Sequence, residues 1–451
     1  MPPPRGVVAT LAPYLSSAAA TFAREAGVPA VAVGAIVADE PPYAFGDGTI
    51  DVEAGEAGPP GGHTAFRVGS LTKPFTAAAV LRLAASSALA LEDPVVRHLP
   101  PFAAVQGARG ASAYDVTVGD LVAHRGGLPG EVRALDESSG VYPTADEVVD
   151  GLAEITLLHA PGTATRYSNL GYQLLGEIVA RVSGAPFEEY CRAAVFAPLG
   201  LVGSSFRRPD GAARGHHARA FTDRVRPAPD RRKRTMADGG LWSTVQDQLR
   251  WISAQVSDPA WRVMHGPLPG SDADGAAGQG LGWFRERLGA RVVLYHQGST
   301  PGFSARLAFS PEHRAGVVAL ANGETSMQPL VAALADLVFD GVDGSFPRHA
   351  APEVPPRPRP SELPAAWEPL LGFYVWPGSA MLFRLEERAG ALRLVDLEGA
   401  GPVTLQPEGT DTFVALDGGW AGERVRVLRH DDGRVRGLRL GAWTIVRLVE
   451  A

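Results

Sequence analysis

Phe66-Arg67-Val68-Gly69-Ser70-Leu71-Thr72-Lys73-Pro74-Phe75-Thr76 leads into an alanine-rich run. A serine and a lysine three residues apart lie one above the other on the same face of a helix. A serine hydroxyl is a weak nucleophile until a base takes its proton. A lysine can be that base where packing and a neighbouring cation lower its pKa. Ser70 and Lys73 therefore form a candidate nucleophile and base. Four-residue matches of this kind arise by chance, so the weight of the pair depends on partners elsewhere in the chain.

Composition narrows the field. The 451 residues are 45% hydrophobic, enough for a large core, and the length predicts two or three domains. A net charge of -7 argues against a nucleic-acid binder. Cys191 is the single cysteine, so the fold needs no oxidising compartment. No stretch approaches the ~20 apolar residues of a membrane span. Arg5 and the run Val7 to Leu15 faintly resemble a signal peptide, but Pro13 and Tyr14 interrupt it. An amphipathic helix from about Ala9 to Glu25, closed by Gly27, is the preferred reading, with a buried strand at Val31 to Val37. On that reading the expected location is cytoplasmic.

The pattern along the chain predicts three parts. Residues 1–345 read as one α/β unit. It has a Gly- and Pro-rich connection at Gly46 to Gly62, a helix from Ser70 to about Ala85, and a mostly helical middle from Val116 to Ala260. Strands are expected at Val292 to His296, Ser304 to Phe309 and Ala315 to Leu320, and a closing helix at Met327 to Phe339. Residues 346–365 are proline-rich and read as a semi-rigid linker. Residues 366–451 carry short strand signals at 381–385, 392–397, 412–416, 424–428, 434–440 and 444–448. These read as a small antiparallel β-barrel or sandwich.

Two further stretches carry chemistry. Tyr167-Ser168-Asn169 follows the Pro161-Gly162 turn and precedes an apolar helix. A tyrosine near a cationic lysine can ionise more easily and take the serine's proton. The Asn169 amide can bind a substrate carbonyl. His296-Gln297-Gly298-Ser299 ends a strand at the turn Ser299-Thr300-Pro301-Gly302. Gly298 lets that strand edge approach a ligand closely. The amides of Ser70 and Ser299 could then form an oxyanion hole.

Ser-x-x-Lys, Tyr-x-Asn and His-x-Gly, in this order and spacing, resemble the class C β-lactamase and DD-peptidase family of penicillin-binding-like serine enzymes. Leu121-Val122-Ala123-His124-Arg125-Gly126-Gly127-Leu128-Pro129 and Gly239-Gly240-Leu241-Trp242-Ser243-Thr244-Val245-Gln246-Asp247 resemble two more family segments. The resemblance implies a β-lactamase/transpeptidase-like α/β fold, with an antiparallel sheet, flanking helices and an inserted helical region. It implies that Ser70 is acylated, that Lys73 and Tyr167 share acid–base work, and that Asn169, Gly298 and Ser299 bind substrate. His296 stands where other members carry a lysine. A neutral histidine would not clamp a carboxylate as lysine does, so β-lactam hydrolysis is disfavoured.

The C-terminal part resembles the lipocalin-like domain of some family members. Together these features resemble the penicillin-binding-protein-type thioesterases, which release nonribosomal peptides from a carrier-protein thioester by head-to-tail macrocyclisation. The alternative is an esterase, D-aminopeptidase or β-lactamase-type hydrolase. The expected partners are a peptidyl thioester and its acidic carrier protein, with no nucleic acid, membrane, cofactor or metal. His124 reads as structural, and His216-His217 as exposed loop histidines. The basic run Arg224, Arg226, Arg231, Arg232, Lys233 and Arg234 is by default a solvated loop and otherwise a carrier-protein dock. Arg447, near the end of the last strand, is a further substrate-binding candidate with a surface position as its alternative.

Overall fold

A computed structural model describes residues 6–54, 58–107, 110–131, 143–218, 222, 225–228, 235–269, 271, 275, 277–355, 364–377, 381–388, 390–397, 401–440 and 443–448. Of the basic run, only Arg226 lies within the described residues. The chain divides into two compact units, Met1–His216 with Pro227–Val354, and His217–Arg226 with Pro355–Ala451.

In chain order the strands of the first part are β1 (Ala30–Val37), β2 (Tyr43–Gly48), β3 (Ala65–Arg67), β4 (His216–Ala218), β5 (Val225–Pro227), β6 (Trp242–Thr244), β7 (Gly278–Gln279), β8 (Phe284–Leu288), β9 (Arg291–Thr300), β10 (Phe303–Ser310) and β11 (Ala315–Ala321). Seven of them form one sheet in the order β2-β1-β11-β10-β9-β8-β7, and the pairs with a full register are antiparallel. Strand β1 is buried on both faces, which explains its unbroken apolar sequence. Val31, Val33, Ala35 and Val37 join the core formed with the helices Val7–Glu25 and Gln328–Val342. Ala32 and Ile36 point into the other core, with the helices Val245–Ser257 and Lys73–Ala85. The period of two along a strand thus feeds two cores on opposite faces of one sheet.

Pro13 lies inside the first helix, which begins at Val7. The region read as a Gly- and Pro-rich connection overlaps β2, an edge strand. The mostly helical middle also contains β4, β5 and β6, and β6 pairs with β3 from earlier in the chain, which brings Arg67 opposite Trp242. Residues of the predicted linker run along the first helix: Ser17 donates to the Pro352 carbonyl at 2.6 Å, and Tyr14 donates to the His349 carbonyl. No helix among the described residues is long and apolar enough to cross a membrane.

The second unit contains a closed barrel of β12 (Gly372–Trp376), β13 (Met381–Arg388), β14 (Ala391–Asp396), β15 (Gly401–Pro407), β16 (Thr412–Ala415), β17 (Arg424–Arg429), β18 (Val435–Leu440) and β19 (Trp443–Arg447). Eight strands leave an interior just wide enough for side chains. Tyr374, Phe383, Leu385, Leu392, Leu394, Phe413 and Leu438 are buried in its core. Closure removes the exposed strand edges that a sandwich would leave, and eight is also the strand number of lipocalins.

Candidate active site

Ser70 lies in the short 3-10 segment Gly69–Thr72, directly before the helix Lys73–Ala85. The turn needs glycine at position 69, where φ is +53° and an added Cβ would lie 2.7 Å from the Ser299 carbonyl oxygen. Thr72 Oγ1 donates to the Gly69 carbonyl at 2.7 Å and accepts from the Leu241 amide at 3.2 Å. These bonds tie the turn to the Gly239-Gly240-Leu241 segment. Pro74 falls in the first helical turn, where no amide donor is required.

Three side chains meet at Ser70 Oγ and its neighbour. Lys73 Nζ is 3.0 Å from Ser70 Oγ, and the Tyr167 hydroxyl donates to the same oxygen at 2.8 Å. Lys73 Nζ also donates to Asn169 Oδ1 at 2.7 Å and to the Asp238 carbonyl at 2.6 Å. It lies 4.8 Å from the centre of the Tyr167 ring and 5.6 Å from that of Tyr172. Lys73 is fully buried, whereas Tyr167 is 38% exposed.

The Tyr167-Ser168-Asn169 stretch is aimed by a helix cap. Ser168 Oγ accepts from the Gly171 amide at 3.0 Å and donates to the Pro129 carbonyl at 2.6 Å. Its backbone amide donates to His124 Nδ1 at 3.1 Å. The cap starts the helix Asn169–Ser183 and fixes Tyr167 and Asn169 on either side of it. His124 adopts φ +56° and stacks 4.6 Å from Tyr167 and 4.8 Å from Tyr172. Burial first, and then the Lys73 charge, hold its pKa well below the histidine range. A neutral ring accepting at Nδ1 orients the tyrosine loop, in keeping with the structural task expected of it.

Desolvation pushes the Tyr167 pKa above the ordinary tyrosine value. The Ser70 hydrogen bond works against this, and the nearby Asp238 and Glu131 add to it. The raised pKa runs against the expectation of an easily ionised tyrosine, and its chief cause is desolvation. In the resting site Tyr167 is a neutral phenol that donates to Ser70.

Glu131 was not singled out from sequence. Its Oε1 accepts from Asn169 Nδ2 at 2.6 Å and its Oε2 accepts from Gln173 Nε2 at 3.4 Å. The carboxylate fixes which end of the Asn169 amide faces Lys73. No motif marks it; its only sequence signal is a position just after Leu128-Pro129-Gly130.

His296 sits on β9, 2% exposed, with Nδ1 2.7 Å from the Gln297 carbonyl. Burial chiefly, helped by the Lys73 charge, pushes its pKa down to about 3. The imidazole is neutral at physiological pH. At Gly298 an added Cβ would lie 1.9 Å from the Val68 carbonyl oxygen and 2.9 Å from the Ser70 amide nitrogen. The backbone of Gly298 and Ser299 therefore packs directly on the turn that carries Ser70, the closeness that two converging amides need.

One sequence reading changes, and for Arg447 the structure gives its partners in the second unit. His216 is buried on β4, with Nδ1 3.2 Å from the Asn322 carbonyl, and is not an exposed loop histidine. The β-strand pairing and the tight packing around Asn322 dehydrate it. The Arg447 guanidinium donates to the carbonyls of Pro369 at 2.7 Å and Leu371 at 3.0 Å, all within the second unit. That engagement clasps the entry to the barrel.

The Beta-lactamase family model matches residues 15–338, and a model described as a domain of unknown function (DUF7586) matches residues 363–447. Protein flp of Staphylococcus aureus is 25% identical over 276 residues, covering 59% of this chain and 54% of flp. The chain thus spans about half the length of that curated relative. The octameric penicillin-binding protein homologue from Pyrococcus abyssi superposes with a TM-score of 0.64 at 23% identity, covering 96% of this chain and 99% of that one. SurE superposes with a TM-score of 0.60 at 25% identity, covering 96% and 98%. With the family model spanning the sheet, the helical region and the Ser70 cluster, the chain belongs to the Beta-lactamase family.

Proposed function

We propose that this chain is a serine acyltransferase that takes a peptidyl group from a carrier-protein thioester and releases it by head-to-tail macrocyclisation. One observation carries the acyl-enzyme step: Lys73 Nζ and the Tyr167 hydroxyl converge on Ser70 Oγ at 3.0 and 2.8 Å. Ser70 Oγ bonds to the acyl carbon and the carbon–sulfur bond breaks. The serine proton passes through the Lys73–Tyr167 pair to the departing thiolate. The backbone of Ser70 and Ser299 holds the developing oxyanion. The peptide's own amine then attacks the acyl carbon and gives up one proton to the same pair, which passes it to Ser70 Oγ as the carbon–oxygen bond breaks. Holding both ends of one chain together substitutes effective molarity for a second substrate.

One feature speaks against β-lactam hydrolysis, and one bears on the acyl donor. A neutral His296 offers no fixed charge for a substrate carboxylate. The likeness to SurE extends through the barrel, and SurE has been solved with D-Leu. The acyl donor we assign therefore ends in a D-residue. The hydrolase reading has its own support, because Tyr167 is 38% exposed and Ser70 is only half-buried, which leaves water a route to the acyl-enzyme.

Mass spectrometry of products from a linear peptidyl thioester with a C-terminal D-residue tests the proposal. The expected product has the mass of the linear acid less one water. Linear acid alone would replace cyclisation with hydrolysis, and turnover by Ser70→Ala would overturn the serine mechanism altogether.

A further inference from the structure

Beside the serine turn, the first unit holds a cavity of about 430 Å³ lined by Arg67, Arg208, Arg214, Asp51, Trp242 and Phe303, among others. Among the described residues, three guanidiniums and one carboxylate line this space. Arg214 is partly balanced, 2.6 Å from Glu53 and 3.9 Å from Asp51. Arg67 and Arg208 lie over the Trp242 indole, 5.9 and 5.6 Å from the ring centre, and Arg208 also donates to the Ala212 carbonyl at 3.4 Å. Arg67 is 5% exposed, so its charge is held in a largely dehydrated wall.

The cavity adjoins the proposed reaction centre. Arg67 precedes Ser70 by three residues, which can span at most ~11 Å. Pro301, also in the lining, follows Ser299 by two residues. The pairing of β3 with β6 sets Arg67 opposite Trp242. None of these arginines takes part in the Ser70 cluster.

Guanidinium forks match carboxylate and phosphate oxygens in pairs. An aromatic wall beside them suits the apolar stem to which such a group is attached. We propose that this cavity is an anion subsite. It would bind a carboxylate or phosphate carried by the acyl substrate and so hold that substrate at Ser70. The proposal rests on the acyl-transfer reading. The anion has two sources: the phosphate of a pantetheine-type thioester arm, or a carboxylate on the peptide itself.

The test uses two substrate pairs. One pair carries the same peptidyl group on pantetheine or on 4′-phosphopantetheine; the other carries a C-terminal D-Glu or D-Gln on an uncharged cysteamine thioester. The protein is compared with Arg208→Gln and Arg214→Gln, both at positions open enough to vary without disturbing the core, and with Arg97→Gln, on another element, as control. The expected result is a KM lower by about tenfold for the charged member of one pair, roughly what one charge-assisted hydrogen bond supplies. The Arg208→Gln and Arg214→Gln variants should lose that advantage with kcat retained, and the control should keep it. The pair that responds identifies the source. Equal KM values within both pairs, or an advantage untouched by both variants, overturn the subsite. If no thioester is turned over, the acyl-transfer reading fails separately. Calorimetric titration of inorganic phosphate into the Ser70→Ala protein then decides the cavity alone: binding weakened about tenfold by Arg208→Gln supports it, and unchanged or undetectable binding overturns it.

Discussion

Among the described residues, Lys73 Nζ reaches the acceptors Ser70 Oγ, Asn169 Oδ1 and the Asp238 carbonyl, enough to engage the three protons of an ammonium. A base needs a lone pair, so Lys73 must shed a proton and give up one contact before it accepts from Ser70. With Tyr167 held as a neutral phenol, a change at either residue breaks the relay. Tyr167→Phe is expected to lower the acylation rate by about 10²- to 10⁴-fold, the usual worth of a positioned acid–base group, with substrate affinity little changed; stopped-flow acylation by a chromogenic ester measures it. Glu131 acts at one remove. Glu131→Ala frees the Asn169 amide to turn and is expected to reduce kcat by about tenfold, while Glu131→Gln, which keeps an acceptor oxygen, restores most of it. Equal losses in both would mean that the charge, not the orientation, matters. Glu131 escaped the sequence reading because the bond to Asn169 spans 38 residues of unrelated chain. Ser70, Lys73 and Tyr167 were legible because each lies in a short stretch whose local geometry delivers it.

At the scale of elements, the site depends on β9 pressing against the serine turn. The hairpin of β9 and β10 sets this register: Gly298 pairs with Ala305 and Ser299 with Ser304, across a turn closed by Gly302 at φ +78°. Gly298→Ala would place a methyl on the Val68 carbonyl, backbone against backbone, where no side chain can yield. The strand must move away from Ser70. Acylation is expected to fall by about 10²- to 10³-fold, as for loss of an oxyanion donor, while Gly61→Ala, at a site with open space and no positive φ, leaves the rate near normal. Equal rates for the two variants would refute the close-approach argument.

The same scale shows why some elements were hidden. Six barrel strands alternate clearly, but β15 contains Pro402 and Pro407, which argue against a strand in sequence, and β12 is short and ends at Trp376 beside Pro377. Closure of the barrel supplies pairing partners that outweigh these signals. Likewise β2, with Gly46 and Gly48, becomes a strand only because β1 offers an edge, and Gly46 leaves room for the Pro60 carbonyl.

For the molecule as a whole, buried histidines couple stability to pH. His296 is held near 3 and His265 near 4, both chiefly by burial, and His124 lies well below its ordinary value. Each binds its proton more tightly when unfolded, near pH 6.5, than when folded. Their contribution is therefore complete above about pH 6.5 and is lost as pH falls from there toward the folded values. Each group adds a slope of up to about 1.4 kcal/mol per pH unit inside that window. Asp247 works in the opposite sense, since its pKa is raised by burial. Its bonds to Ser204 and Gly203 and the Arg250 charge offset much of that rise. Asp93 and Asp411 are lowered and lose their contribution only below the ordinary carboxylate value, outside this window. His216 is lowered in the same sense, chiefly by burial, while Glu177 and Asp336 are raised like Asp247 and oppose the histidines only nearer the ordinary carboxylate range. Urea unfolding is expected to show a plateau from pH 7 to 9 and a steady loss of stability on acidification. His265→Gln replaces a ring bonded to Gln255 at 2.8 Å by a side chain that does not titrate. It should be less stable at pH 7.5 yet show a shallower fall toward pH 4. A variant curve parallel to that of the unaltered protein across this range would show that His265 takes no part in the acid sensitivity.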